Sequence, residues 1–239
     1  MMDVPKPAGG TRHVCVYQIP DSAVSNYLYH KLLSKNKHRF SSLAYAYRDD
    51  RNVHYAIQDI ALDFRRYPRV FISEFDFKDF FGSIDQSFLK EQFDKNGFFI
   101  STYDQKIIDA FITLNSRGIP QGTSISLFLA NLVCWQLDRK LESEGLRFAR
   151  YADDTVIWSN DYSKITKSFE LIYDFSAKAG IPINIDKSNG IRLLVRKGTP
   201  TEFPSDKTIQ SIDFLGYELT LDKIKIKQKS VKKIKQHIS

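Results

Sequence analysis

Two apolar β-type runs, Leu146-Arg147-Phe148-Ala149-Arg150 and Thr155-Val156-Ile157-Trp158, flank the polar Tyr151-Ala152-Asp153-Asp154. That arrangement predicts a hairpin with both carboxylates at its tip. The apolar run Val70-Phe71-Ile72-Ser73-Glu74-Phe75-Asp76-Phe77 predicts a buried strand. Period-two alternation sets its Glu74 and Asp76 on one face and Phe71, Phe75 and Phe77 on the other. The rhythm changes after Ser124: Leu129, Leu132, Val133 and Leu137 recur at helical spacing, predicting a helix over about 125–143 with Ser124 or Ser126 as its cap. A second helix is expected near 86–95. Lys223-Ile224-Lys225-Ile226-Lys227 alternates as a strand, and Val231, Ile234 and Ile238 follow at helical spacing. The expected class is α+β.

Two neighbouring negative charges on a tight turn are unfavourable unless a cation stands there, and carboxylate oxygens suit hard divalent ions such as Mg²⁺. Asp49-Asp50 is an internal control. It lies between Arg48 and Arg51, so ordinary surface ion pairing accounts for it. Asp153-Asp154 differs because Asp76 supplies a third acid on a strand whose core would not otherwise accept one. The bland alternative for Asp76 is a turn cap neutralised by Lys78 or Arg69. Gly118-Ile119-Pro120-Gln121-Gly122 reads as a loop feeding the long helix, with small residues that allow close backbone approach and an amide at Gln121.

Asp76-Phe77-Lys78-Asp79-Phe80-Phe81, then Gly118-Ile119-Pro120-Gln121-Gly122, then Tyr151-Ala152-Asp153-Asp154 resemble, in order, motifs A, B and C of reverse transcriptases. Pro5-Lys6-Pro7-Ala8-Gly9-Gly10-Thr11-Arg12 resembles the fingers hairpin of bacterial and group II intron enzymes, and Tyr45-Ala46-Tyr47-Arg48 a later fingers segment. Gly180-Ile181-Pro182-Ile183-Asn184 with Lys187 is similar to motif D, and Phe214-Leu215-Gly216-Tyr217 to motif E. One departure is Leu127, where the group II pattern usually has proline.

The resemblance implies a right-hand polymerase with fingers over 1–68, palm over 69–222 and the start of a basic thumb over 223–239, the palm being an antiparallel sheet with the strands of Asp76 and Asp153-Asp154 adjacent, backed by the helices near 86–95 and 125–143. It implies an RNA-directed DNA polymerase that extends a primer 3′-hydroxyl with deoxynucleotides, using two Mg²⁺ ions. Asp76, Asp153 and Asp154 would hold the metals with the Phe77 carbonyl. Phe81 would be the steric gate against a 2′-hydroxyl, although a core aromatic is the plain alternative. Gln121 and Gly122 would contact nucleotide or template. Lys6 and Arg12 would face the triphosphate, Lys187 would neutralise or protonate pyrophosphate, and Phe214, Leu215, Gly216 and Tyr217 would grip the primer. The partners implied are an RNA template, a DNA or RNA primer and deoxynucleotides.

Composition adds a charge asymmetry. The net charge is +7 (35 − 28), and all of it lies beyond residue 222, where lysines occur without acids. A cationic tail favours a phosphate backbone. Only one thumb-like helix begins before Ser239, so a partner or a further segment is expected to supply the thumb. Cys15 and Cys134 make neither a zinc site nor a disulfide framework, and residues 1–20 lack a signal-peptide core, which points to the cytoplasm rather than a membrane. Two alternatives stay open: template-independent or self-primed synthesis in antiviral defence, and a catalytically silent nucleic-acid-binding module. The retron signatures Asn-Ala-x-x-His and Val-Thr-Gly are absent, and so is the nucleotide-cyclase signature.

Overall fold

The computed structural model describes residues 2–5 and 11–232, apart from the side chains of Arg12 and His13. In chain order the elements are β1 (Met2–Pro5), β2 (Thr11–Val14), α1 (Ile19–Asn36), α2 (Val53–Phe64), β3 (Arg69–Phe75), α3 (Phe80–Ser83), α4 (Gln86–Lys95) and α5 (Thr102–Ile112). They continue with α6 (Ser124–Ser143), β4 (Arg147–Tyr151), β5 (Asp154–Ser159), α7 (Tyr162–Ala179), β6 (Asn189–Val195), β7 (Thr208–Ile209), β8 (Ile212–Phe214), β9 (Tyr217–Leu219) and β10 (Ile224–Ile226). The chain forms two compact units, one from 1–42, 77–139 and 172–183, the other from 43–76, 140–171 and 184–239.

The second unit is built on a sheet of order β4-β5-β3-β6-β7. The strand of Asp76 lies beside that of Asp154 as expected, with Glu74 opposite Val156 and Phe75 opposite Thr155. The sheet is mixed rather than wholly antiparallel, because β7 joins β6 in parallel at the edge. On one face Phe75 meets Phe169 at a ring separation of 4.9 Å and Phe71 meets Tyr162 at 5.2 Å. The start of α7 therefore covers the aromatic side of β3. On the other face Trp158 packs edge-on to Phe64 of α2 at 5.7 Å. Phe64 and Trp158 are fully buried, which stabilises by roughly 1.5–3 kcal/mol each. That face changes along β3 from apolar Ile72 to acidic Glu74. The Asn52 side chain caps α2 by accepting the Tyr55 N–H. Strands β8, β9 and β10 form a separate antiparallel sheet in this unit.

In the first unit β1 and β2 pair as a hairpin. Residues 6–10, with Lys6, Gly9 and Gly10, lie outside the described residues, as does the Arg12 side chain. Buried Ser25 of α1 accepts the Ile125 N–H at 3.0 Å, and Asp104 of α5 holds Lys31 of α1 at 2.6 Å. Helix α6 starts at Ser124, so Thr123 rather than Ser124 precedes it, and Thr123 Oγ1 lies 2.8 Å from Ser126 Oγ. Leu129, Leu132, Val133 and Leu137 are all buried, as their spacing predicts. Helix α4 ends within the span expected for it.

Arg48 grips Asp50 through two bonds of 2.9 and 2.8 Å, which accounts for the acidic pair at 49–50. Strand β10 matches the predicted lysine–isoleucine alternation. Ile234 and Ile238 fall outside the described residues. Among the described residues no helix is long and apolar enough to cross a membrane, and both cysteines are free thiols.

Candidate functional site

Tyr151 pairs with Asp154, so Ala152 and Asp153 alone make the turn between β4 and β5. Ala152 has a φ of +59°, the left-handed geometry that a tight hairpin demands at its first turn position. Arg150, 1% exposed, donates from Nη1 to the Ala152 carbonyl at 3.2 Å. The Arg150 backbone is itself bonded to Leu43 and Tyr45. The acidic tip is thus tied down from beneath by a buried guanidinium and an adjoining segment.

Asp76 follows the last residue of β3, on the face that carries Glu74. Its backbone carbonyl accepts the Asn184 N–H at 2.8 Å, and its N–H donates to Ser188 Oγ at 3.2 Å. Its side-chain Oδ2 accepts from Asn184 Nδ2 at 2.8 Å and lies 3.0 Å from Lys187 Nζ. The turn 184–188 therefore clasps Asp76 by main chain and side chain together. Glu74 is paired with Arg192 and accepts from Asn189 Nδ2 at 3.2 Å.

Glu74, Phe75, Asp76, Asp154, Thr155 and Lys187 line a cavity of about 570 Å³ together with Asp213, Phe214, Leu215 and Lys227. The Asp154 carboxyl is pushed up to about 6, first by the protein atoms packed around it, then by repulsion from Asp153 and Asp76, with Lys187 opposing. Asp154 is nonetheless exposed to solvent, so the like charges next to it are the firmer cause. Lys187 is raised above the ordinary lysine value by its bond to Asp76, against some burial, and further by the charges of Asp76, Asp154 and Asp153. Among the described residues no group of three acidic, histidine or cysteine side chains is gathered closely enough to hold a metal ion by itself. The donor set still fits hard divalent cations, because mutually repelling carboxylates face an open, polar cavity.

Phe214 and Tyr217 pair across a two-residue turn, whose Leu215 and Gly216 have φ of +48° and +85°. Successive positive φ values define the tight turn that suits a twisted hairpin. The Gly216 carbonyl accepts from Lys227 N at 3.1 Å and from Ser230 Oγ at 3.2 Å. Phe214 and Leu215 line the cavity, whereas Tyr217 turns its hydroxyl to His54 Nδ1 at 3.1 Å.

The first unit brings Phe81 and the 118–122 loop together. The Phe81 carbonyl accepts the Ile119 N–H at 2.8 Å. A Cβ on Gly118 would stand 2.6 Å from the Phe81 and Gly82 carbonyl oxygens, so no larger residue fits there. Gln121 is half-buried and its carbonyl accepts from Cys15 N at 2.8 Å. Gly122, at φ +102°, lies against Val14 and Cys15. Phe81 is half-buried, its ring edge-on to Phe80 at 5.5 Å. Phe77 is 2% exposed, its ring between Phe80 and Phe175.

Sequence reasoning did not anticipate what Asn184 and Ser188 do. Both lie in a short polar turn, but nothing local signals that Asn184 meets an acid 108 residues earlier. Asp213 and Lys227, paired at 2.6 Å on the cavity wall, were likewise invisible.

Over 125 residues, 49% of its length, the chain is 29% identical to the retron Ec86 reverse transcriptase of Escherichia coli, of which it covers 37%. Among solved structures, telomerase from Candida tropicalis in complex with a fragment of telomeric RNA matches over 96% of the chain with a TM-score of 0.66 at 15% identity. Apo telomerase from the same organism, truncated from its C-terminal domain, matches over 87% with a TM-score of 0.59 at 18% identity. These structural likenesses establish the fold. The chain spans 44% and 45% of those two proteins, as it spans little more than a third of the retron enzyme. The family model for reverse transcriptase (RNA-dependent DNA polymerase) matches residues 4–219, and the chain therefore belongs to the reverse transcriptase family.

Proposed function

We propose that this chain is an RNA-directed DNA polymerase that extends a primer 3′-hydroxyl with deoxynucleotides. The observation that carries the reading is the meeting of Asp76 and Asp154, from adjacent strands, with Lys187 in one cavity walled by Phe214 and Leu215. In the reaction the 3′-hydroxyl loses its proton and attacks the α-phosphorus, and pyrophosphate leaves with the electrons of the broken P–O bond.

In this reading Asp76, Asp153 and Asp154 hold Mg²⁺, with the carbonyl of Phe77 as a further oxygen ligand. Two bound ions would acidify the attacking hydroxyl and neutralise charge on the leaving group. Lys187 stands ready to receive charge on the departing pyrophosphate or to protonate it. Phe214, Leu215, Gly216 and Tyr217 position the primer end. Gln121 and Gly122 present amide and backbone to nucleotide or template, Phe81 excludes a 2′-hydroxyl, and Lys6 and Arg12 serve the triphosphate. The corresponding division is fingers over 1–68, palm over 69–222 and the start of a thumb over 223–239.

The test is deoxynucleotide incorporation with Mg²⁺ on a primed RNA template and without template, beside Asp153→Asn. Template-dependent extension that disappears in the variant supports the proposal. Incorporation without template, also lost in the variant, replaces it with a template-independent polymerase. Binding of a primed hybrid with no incorporation replaces it with a nucleic-acid-binding module.

A further inference from the structure

We propose that Asn184 is a positioning residue that fixes the rotation of the Asp76 carboxylate, presenting Oδ1 to a divalent cation while holding Oδ2 back. The inference rests on the metal-binding reading of Asp76 given above and adds the residue that orients it.

The geometry is specific. Oδ2 of Asp76 accepts from Asn184 Nδ2 at 2.8 Å and neighbours Lys187 Nζ at 3.0 Å. Among the described residues Oδ1 takes no protein hydrogen bond. Both carboxylate oxygens would otherwise be equivalent, so a donor fixed on one of them determines which faces the cavity.

Asn184 suits this task better than Lys187. Its own N–H is bonded to the Asp76 carbonyl at 2.8 Å, and its carbonyl accepts from Lys187 N at 3.1 Å and Ser188 N at 2.9 Å. The amide therefore springs from backbone that is already attached to the residue it orients. Lys187 reaches the same oxygen from a long side chain that is 64% exposed, and it is free to swing away. Charge points the same way. A neutral amide orients the carboxylate without cancelling its negative charge, so the attraction for a cation survives. Partners that orient a ligand in this way typically contribute 10–100-fold to metal affinity.

The test is Mn²⁺ binding to the full chain, followed by electron paramagnetic resonance of the free ion, for wild type, Asn184→Ala, Asn184→Leu and Asp76→Asn. Thermal unfolding of each variant is measured alongside. Asn184→Ala is expected to raise the Mn²⁺ dissociation constant about tenfold with the unfolding midpoint little changed. Leucine, which shares asparagine's branching at Cγ but cannot donate, is expected to do the same, and it stands in if alanine fails to fold. In extension assays the Mg²⁺ concentration for half-maximal rate should rise, with the rate restored at high Mg²⁺. Unchanged Mn²⁺ affinity in both Asn184 variants, with affinity lost in Asp76→Asn, overturns the role of Asn184 alone. Unchanged affinity in Asp76→Asn overturns the metal-binding reading on which it rests.

Discussion

Lys187 Nζ stands 3.0 Å from Asp76 Oδ2, with 64% of the lysine side chain open to solvent and only 9% of the aspartate side chain. An ion pair with so exposed a member contributes about 0–1 kcal/mol to stability, so the lysine's presence calls for another reason. Lys187→Gln is expected to leave the unfolding midpoint within a few degrees and to lower the single-turnover incorporation rate by about 10²-fold, the lower range for lost general-acid help. The pH dependence has a definite sign. The folded-state value of Lys187 is raised, so its charge is present throughout neutral pH and is lost only as pH rises through a value above the ordinary lysine range of about 10.4. Single-turnover rates between pH 6 and about 9 should therefore show no Lys187 limb. A wild-type rate in the glutamine variant would remove Lys187 from the chemistry.

Phe81 is half-buried, its backbone fixed by Ile119, and its ring edge-on to Phe80. A ring serving only as core would, on truncation, reduce stability and affect both nucleotide classes alike. A ring against the sugar would alter their ratio. Phe81→Ala is expected to raise ribonucleotide incorporation relative to deoxynucleotide by at least about tenfold, in the range that pocket shape alone can discriminate. The check is kcat/KM for each class on one primed template. An unchanged ratio with a lowered unfolding midpoint would return Phe81 to the core.

Gly118 joins the two segments that share this part of the first unit. At φ +75° a Cβ there would stand 2.6 Å from two backbone carbonyl oxygens. A flexible side chain could yield to such a contact, but backbone cannot. Gly118→Ala is expected to cost more than about 1 kcal/mol, from left-handed strain and the clash together. It should also weaken nucleotide selection, because Phe81 and the Gln121 loop would be forced apart. Chemical denaturation gives the first quantity, and the ribonucleotide ratio gives the second. A neutral alanine variant would mean that the loop moves away without consequence.

The sequence made the strands of the acids legible for physical reasons. Alternation in β3 and the two β-type runs around Asp153 impose a face and a turn, and both depend on residues within reach of each other along the chain. Leu129, Leu132, Val133 and Leu137 marked α6 on the same grounds. The sequence did not show that β7 would add in parallel, since Thr208 and Ile209 contribute too short a pattern to declare a direction. It did not show the Asn184 clasp or the Asp213–Lys227 pair either. Asp76 and Asn184 lie 108 residues apart, and Asp213 and Lys227 are brought together only through the small sheet of β8, β9 and β10. Ala152 and Leu215 hold left-handed conformations that local propensity argues against. Hairpin closure supplies that geometry, and composition does not.

Asp154 provides a test of whether the acidic cluster is strained by its own charge. Its carboxyl is pushed up to about 6 by the protein packed around it and by Asp153 and Asp76, against about 3.9 for an aspartate in an unfolded chain. The folded state thus holds this proton more tightly than the unfolded one. Stability from this group rises as pH falls from about 6 towards 4, and the penalty is fully present above 6. Exposure of Asp154 lets solvent screen the charges, which limits the penalty to about 1 kcal/mol. Asp154→Asn removes the charge at every pH. In the presence of chelator the variant is expected to melt about 2–4 °C above wild type at pH 8, with the difference vanishing near pH 4. Adding Mg²⁺ should reverse the order at pH 8, because a cation stabilises only the protein that binds it. A difference that stays constant from pH 8 to pH 4 would place the origin of the strain in packing around the side chain instead of in its charge.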